Sequence, residues 1–157
     1  MSDNLRLAIC EQIAHELYNA NLYLFLCGFL RNKGLDNLAK HFEGQHEEEL
    51  SHSREFFNLL TDLNGDVIIP NIEEVNISIT SFQIVAKMYL DREILTTASI
   101  NEIKKMAIEE NCPIVEEKMR EMITKQQHEY AEATSMMDKA LLLSEWWQVA
   151  LLDSSMG

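Results

Sequence analysis

Residues 35–60 read LDNLAKHFEGQHEEELSHSREFFNLL. Apolar and weakly polar positions in this stretch recur at spacings of three and four residues, the period of one face of an α-helix. That face comprises Leu38, Phe42, Gln45, Glu49, His52, Phe56 and Leu59. Because residues three apart on a helix point the same way, the pattern predicts a buried helix that aims Glu49 and His52 at one point. An ExxH pair alone is also common on solvated helix faces, and its place on the apolar face is what favours a functional role.

The composition of the whole chain favours an all-helical protein. The chain has 157 residues, the length of one ordinary domain, and 46% of them are hydrophobic, enough for a sizeable core. Five glycines and two prolines are too few for the many turns of a β-sandwich or barrel. The net charge of −13 would repel a nucleic-acid backbone and attract cations or basic proteins. Nucleic acid is therefore excluded as an expected partner.

The cysteines and the N-terminus indicate a cytoplasmic protein. Cys10, Cys27 and Cys112 are odd in number and lack any zinc-type spacing, as expected of reduced thiols. The start, residues 1–4, has no basic region typical of a secretion signal. No apolar run approaches the roughly 20 residues of a membrane span. We therefore expect a soluble, cytoplasmic chain without a membrane partner.

The first helix is predicted from a cap at Asp3 or Asn4 to Asn32, before the Lys33-Gly34 stop. Its inward face comprises Ile9, Ile13, Glu16, Ala20, Tyr23, Cys27 and Leu30. Glu16 interrupts this face, and Tyr23 lies two turns further along it. Alone, the glutamate could be a boundary residue and the tyrosine a core aromatic with a satisfied hydroxyl.

A long connection separates the second and third helices. The second helix is predicted to end near Thr61-Asp62, and residues 62–80 show no helical period. About 18 extended residues reach roughly 60 Å, whereas a helix of about 27 residues is roughly 40 Å long. The connection can thus cross the length of a bundle and join two parallel helices. One such crossover between helices 2 and 3 is the ferritin-like form of the four-helix bundle.

Two more long helices and a short one complete the predicted bundle. The third helix begins near Ser81, with an inward face of Phe82, Ala86, Tyr89, Glu93, Thr96, Ile100, Ile103 and Ala107. Pro113 suits the first position of the fourth helix, whose face comprises Met119, Met122, Gln126, Glu129, Ala133, Met136 and Ala140. Gln126 is preferred to Gln127 because it lies on this face. The apolar segment 144–153 predicts a fifth helix, with Ser144 as a possible cap.

Each of the four long helices places one glutamate near the middle of its apolar face: Glu16, Glu49, Glu93 and Glu129. A bundle brings helix middles to one level, where four ionised carboxylates would repel one another and lose their hydration. Two divalent cations cancel four negative charges. With His52 as a nitrogen ligand and Gln126 as an amide contact, the site is rich in oxygen and suits iron(II) or manganese better than structural zinc.

The spacing of these residues resembles the bacterial non-haem ferritins over nearly the whole chain. The residues that carry the resemblance are Glu16, Tyr23, Glu49-x-x-His52, Glu93 and Gln126-x-x-Glu129. It implies one ferritin-like domain over residues 1–157, with the bundle at about 4–140. It also implies that Glu16, Glu49 and His52 hold one iron of a di-iron site and that Glu49 bridges to the second.

By the same resemblance, Glu93, Gln126 and Glu129 complete the second side of the site, and Tyr23 hydrogen-bonds near the iron pair or supplies an electron. The implied activity is that of a ferroxidase, which oxidises iron(II) with dioxygen or hydrogen peroxide. Ferric mineral would then be stored in a cage of 24 identical subunits. The position of the bacterioferritin haem methionine is Leu50 here, so no haem is expected.

Two other functions are compatible with a helical bundle of this kind. A rubrerythrin-like di-iron peroxidase would be a small oligomer without mineral, usually with a cysteine-rich module that is absent here. A metal-free interaction protein would leave four buried carboxylates without counterions.

The positions of a third iron site found in similar ferritins are Glu48, Lys125, His128 and Glu129. Two of these four are not acids, so this third site is expected to be weak or absent.

Overall fold

The computed structural model describes residues 1–157, which form five α-helices and no strand. The helices are α1 (Asp3–Asn32), α2 (Asp36–Asp62), α3 (Phe82–Glu109), α4 (Pro113–Ala140) and α5 (Trp146–Ser155). The predicted all-α class, with four long helices and a short fifth, is therefore confirmed. None of the five helices combines the length and apolar character that a membrane crossing requires.

Local signals fix most of the helix ends. Ser2, rather than Asp3 or Asn4, caps α1, because its hydroxyl accepts the Leu5 backbone N–H. The prediction of a cap at Asp3 or Asn4 was wrong because Ser2 already supplies the acceptor. Glu145, rather than Ser144, caps α5, since its side chain pairs with the backbone at Gln148 in a reciprocal capping box. The stop after α1 is confirmed, with Gly34 at a φ of +76°.

The four long helices form two pairs, α1 with α2 and α3 with α4. Short turns join the members of each pair, so the helices within a pair run antiparallel. Residues 63–81 form the crossover between the pairs. Near its start, the Asp66 carbonyl accepts an Arg6 N–H at the beginning of α1, and further on Val75 and Ile79 pack on the core at the other end of the bundle. The crossover therefore runs the length of the bundle, as predicted.

The core consists of two apolar clusters with a polar layer between them. One cluster contains Phe42 and Phe82, and the other contains Phe56 and Met119. Burial of a Leu or Phe side chain contributes about 1.5–3 kcal/mol, so the two clusters supply most of the stability of the bundle. Every residue of the four predicted inward faces is buried, including the polar ones. The glutamates of these faces thus lie at mid-bundle between the clusters.

Candidate metal centre

Three of the predicted ligands converge in the polar layer. Glu16 on α1 and Glu49 and His52 on α2 each offer one ligand atom, and these atoms lie within 4.8 Å of one another. The relative exposures of the two glutamates are 0% and 1%. The His52 Nδ1 lies 3.3 Å from Glu49 Oε2. The i, i+3 spacing in α2 and the α1–α2 contact together build this half of the site.

Glu93 on α3 anchors the other half of the site. Its Oε1 accepts the Tyr23 hydroxyl at 2.6 Å, and its Oε2 accepts the Gln126 side-chain N–H at 2.5 Å. Glu93 and Gln126 are both buried, whereas Gln127 is exposed on the outer side of α4. The side chain of Gln126, and not that of Gln127, therefore lies in the polar layer.

Glu129 lies on α4 and is 2% exposed. Its Oε2 is buried without a hydrogen-bond partner, as is the Oε2 of Glu16. Glu93 and Glu129 do not join the tight group of Glu16, Glu49 and His52, so the structure gathers one half of the predicted ligand set more closely than the other. Two unpartnered buried carboxylate oxygens are what a cation would satisfy.

Burial raises the pKa of all four glutamates. The pKa of Glu16 is well above its usual range because of burial and the neighbouring Glu49. Burial raises the pKa of Glu49 to about 8, and burial together with Glu48 raises that of Glu129 to about 9. Burial also raises the pKa of Glu93, although bonds from Tyr23 and Gln126 oppose the shift. Without cations Glu16, Glu49 and Glu129 therefore favour their protonated forms near neutral pH, whereas bound cations would favour the carboxylates.

Gln12 supports the site and was missed by the sequence analysis. Its side-chain N–H donates to Glu16 Oε1 at 2.7 Å, and the residue is 2% exposed. It lies one turn before Glu16, so the i, i+4 spacing could have identified it. The bond holds one oxygen of Glu16 and leaves the other free.

A second polar group that the sequence did not reveal joins α1 to α3 next to the site. The Arg92 guanidinium donates to the Asn19 side-chain oxygen at 2.7 Å and contacts His15 Nδ1 at 3.1 Å. Thr96 completes the group through its hydroxyl, which lies 2.6 Å from His15 Nε2. Burial and the Arg92 charge lower the pKa of His15 to about 4, so its ring is neutral. These bonds fix the relative position of the helices that carry Glu16 and Glu93.

The arrangement offers mainly carboxylate oxygens, one imidazole nitrogen and one amide group inside a buried layer. Oxygen-rich sites with a histidine suit iron(II) or manganese, whereas structural zinc sites are richer in cysteine and histidine. Neighbouring carboxylates can also hold two cations side by side. The side chains present thus fit a pair of divalent metal ions.

Comparisons with known proteins bear on the family and the fold of the chain. The family model described as "Ferritin-like domain" matches residues 7–142. A probable bacterial non-heme ferritin-like protein of Haemophilus influenzae is 26% identical over 158 residues, which cover 100% of this chain and 96% of that protein. Ferritin BfrB of Mycolicibacterium smegmatis is 29% identical over 129 residues, covering 82% of this chain and 71% of that one.

A solved structure shows the same fold. An open-pore ferritin from the hyperthermophilic archaeon Archaeoglobus fulgidus matches with a TM-score of 0.93 and 25% sequence identity. The match covers 99% of this chain and 97% of that one. It therefore includes α5 and the crossover as well as the four long helices.

Proposed function

We propose, because the chain belongs to the ferritin family, that it is a ferroxidase that oxidises iron(II) in the polar layer and stores the ferric product. The family and the fold support an iron-storage protein, as the sequence predicted. Oxidation at the residues named above and mineral deposition are the further steps of the proposal. Dioxygen or hydrogen peroxide is the proposed oxidant.

The observation that carries the proposal is the set of four buried glutamates, one from each long helix. A buried, unpaired carboxylate is costly, and when the glutamates are ionised two of the four have an oxygen without a hydrogen-bond donor. Two iron(II) ions would cancel the four charges and use those oxygens. A structural role alone would not require glutamates at four matched positions in an otherwise apolar core.

Different side chains would bind the two iron(II) ions. In the proposal, Glu16, Glu49 and His52 bind one iron(II) as substrate, and Glu49 bridges to a second. Glu93, Gln126 and Glu129 bind that second ion. Two adjacent iron(II) ions can give electrons together to one oxidant molecule.

Product release depends on weak ligation of the ferric ion. Gln126 is neutral, so it holds ferric ion less strongly than a carboxylate would. Tyr23 donates its hydroxyl to Glu93 Oε1 and so orients that carboxylate. In the proposal Tyr23 also supplies an electron to the site.

Storage requires an enclosed volume, so we include a homo-oligomeric cage of 24 subunits in the proposal. Large apolar side chains at the C-terminal end of the isolated subunit support contacts with other subunits. Leu142 is 81% exposed, Trp147 65% and Leu151 63%. The whole chain, residues 1–157, then acts as one ferritin-like unit.

Site variants test the proposal directly. Replacement of Glu49 or His52 by Ala should abolish rapid aerobic oxidation of iron(II), measured by the absorbance of the ferric product. The helical circular dichroism should persist. In Glu49→Ala, relief of carboxylate repulsion offsets part of the lost packing, and in His52→Ala the two apolar clusters on either side of the site remain. Glu47→Ala on the exposed side of α2 is the matched control and should oxidise iron normally. Fast oxidation in both site variants would disprove the assignment.

A further inference from the structure

Tyr89 is a fully buried tyrosine to which the proposed function gives no task. It lies one helical turn before Glu93 on the inward face of α3 and is 0% exposed. Its hydroxyl has no hydrogen-bond partner. Burying an unpartnered hydroxyl is destabilising, so a phenylalanine would suit simple packing better. A tyrosine at this position therefore calls for a chemical explanation.

The ring of Tyr89 continues a line of aromatic contacts from the metal centre. Its centroid lies 5.4 Å from that of Tyr23 in an edge-to-face contact at 84°. The hydroxyl of Tyr23 donates to Glu93. Only one ring thus separates Tyr89 from a carboxylate of the proposed site.

On its other side, Tyr89 meets Phe42 and His41. The centroid of the His41 ring lies 5.6 Å from that of Tyr89, at 68°. His41 is the only base among the rings in contact with Tyr89, and its Nε2 is buried without a partner. His41 also lines a cavity of about 370 Å³ that opens to the surface between α2, α4 and α5. His41 is therefore the neighbouring base to which an oxidised Tyr89 can pass its proton, although its Nε2 and the Tyr89 hydroxyl are not hydrogen-bonded to each other.

We propose, on the basis of the ferroxidase function above, that Tyr89 is a second electron donor that acts on the metal centre through Tyr23. Dioxygen needs four electrons and four protons to become two water molecules. Two iron(II) ions supply two electrons, and Tyr23 and Tyr89 supply one each. Each phenol loses its O–H proton as it is oxidised, to Glu93 from Tyr23 and to His41 from Tyr89, and solvent supplies the protons that dioxygen takes up.

Tyr89 differs from the neighbouring Phe42 in that its side chain can be oxidised. Phe42 packs on the same ring but has no phenol to oxidise. A buried tyrosine is shielded from solvent, so its radical would persist longer than one on the surface. With Tyr89 present, two iron(II) ions complete the reduction of dioxygen to water. Without Tyr89, two iron(II) ions and Tyr23 can supply only three of the four electrons. Reduction then stops after two electrons, Tyr23 keeps its electron, and hydrogen peroxide should be released.

The first test uses the iron-loaded protein and its radical signal. After anaerobic loading with two iron(II) ions per subunit and mixing with dioxygen, electron paramagnetic resonance of frozen samples should show tyrosyl radicals. Tyr89→Phe should lose the Tyr89 signal and release more peroxide while still oxidising iron(II). Tyr23→Phe should remove both signals, because Tyr89 acts through Tyr23. Tyr130→Phe is the matched control, since Tyr130 is exposed on α4.

The outcomes of this test separate the two proposals. Absence of iron(II) oxidation in the unmodified protein would refute the ferroxidase function. Normal oxidation with the same radical signal and peroxide yield in Tyr89→Phe would refute the role of Tyr89. A purely structural role would lower the melting temperature of Tyr89→Phe, whereas loss of an unpartnered hydroxyl should leave it unchanged or higher.

A second test needs no iron. A ruthenium photosensitiser can be attached to Ser135→Cys, which lines the same cavity as His41, in a Cys112→Ser background. Cys10 and Cys27 are buried and should not react. Flash oxidation of the label should produce the absorbance of a tyrosyl radical, which Tyr89→Phe should remove and Tyr130→Phe should not. An equal radical yield with and without the Tyr89 hydroxyl would overturn the proposal.

Discussion

Buried glutamates make the stability of the metal-free protein depend on pH. The pKa of Glu49 is raised to about 8 and that of Glu129 to about 9, from a usual value of 4.5. Between about pH 5 and pH 8 the folded protein therefore binds more protons than the unfolded chain. Each extra bound proton lowers the free energy of unfolding by about 1.4 kcal/mol per pH unit as the pH rises.

We therefore expect the melting temperature of the metal-free protein to fall as the pH rises from about 5.5 to about 8, the range over which the raised pKa values keep extra protons on the folded protein. Glu129→Gln should flatten this dependence, because it removes one of the titrating groups. Added zinc(II), a redox-inert divalent cation, should raise the melting temperature most at the alkaline end, since it binds the charged form. Differential scanning calorimetry across this range would measure all three effects. A flat profile, or an equal slope in Glu129→Gln and the exposed control Glu47→Gln, would contradict the expectation.

Lys125 occupies one of the four positions of the third iron site that the resemblance implied. Its Nζ lies 3.0 Å from Glu55 Oε1, an atom that Lys118 also contacts at 3.0 Å. The Lys125 ammonium is thus paired with Glu55, and Glu55 lies two helical turns after Glu48 on α2. Repulsion of a cation by Lys125 is therefore smaller than the sequence suggested, and the missing carboxylates are the main deficit.

We expect anaerobic calorimetric titration with iron(II) to saturate at two tight ions per subunit. Lys125→Glu should add a weaker third ion, because it restores an anionic ligand one helical turn before Glu129, whose carboxyl group interacts with Glu48. Lys40→Glu makes the same change of charge at an exposed site on α2 and should add none. A tight third ion in the unmodified protein would show that His128 and the two glutamates suffice.

At the level of single residues, the helical period of the sequence predicts which side chains are buried. It does not predict the bonds that form between side chains on different helices. Glu16, Glu49, His52 and Glu93 could be placed in the core because each lies on a stripe with a fixed period. The bond between Lys125 and Glu55 could not be predicted, since it joins exposed side chains 70 residues apart. The roles of the predicted site residues in binding iron stay predictions.

At the level of helices, α2 begins in a way that no local signal reveals. Leu35 precedes its first residue and offers no capping side chain. The Asp153 carboxylate of α5 instead accepts the Leu38 backbone N–H at 2.7 Å, although 115 residues separate the two. A carboxylate at a helix N-terminus also interacts favourably with the helix dipole. The terminal helix therefore caps the helix that carries Glu49 and His52.

Asp153→Ala should expose the first turn of α2 and loosen α5. Loss of a capping acceptor costs about 0.5–2 kcal/mol. Hydrogen exchange of the Leu38 amide should become faster by a corresponding factor. Asp153→Asn keeps an acceptor oxygen and should retain most of the protection. Unchanged exchange in Asp153→Ala would show that the other contacts of α5, which include the buried Val149 and the bond from the Asn37 side chain to the Asp153 carbonyl, hold it in place.

Helix ends show the same limit of prediction. The start of α3 near Ser81 and the start of α4 at Pro113 were predicted correctly, because a capping serine and a first-turn proline act on their own helices. The caps of α1 and α5 were misplaced by one or two residues, because several adjacent side chains could each serve. The cap of α2 lay beyond sequence reasoning, since its acceptor comes from the other end of the chain.

For the whole molecule, the surface of α5 and the turn before it indicate further assembly. Leu142, Trp147 and Leu151 border a common surface groove and are each more than half exposed. Exposed apolar patches of this kind are typical of protein contacts. Symmetric oligomers bury the same patch on every subunit, so the cage proposed above gives these side chains a partner.

Deletion of residues 144–157 should weaken or alter the cage, but it would also remove the Asp153 cap of α2. A double variant, Trp147→Ser with Leu151→Ser, keeps Asp153 and changes only exposed positions. We expect it to elute as smaller species in size-exclusion chromatography with unchanged helical circular dichroism, because polar side chains weaken burial between subunits. Trp147→Phe with Leu151→Met preserves the apolar surface and should assemble normally. If the serine variant assembled and melted like the unmodified protein, α5 would have no part in assembly, and its exposed side chains would be without a role in the cage.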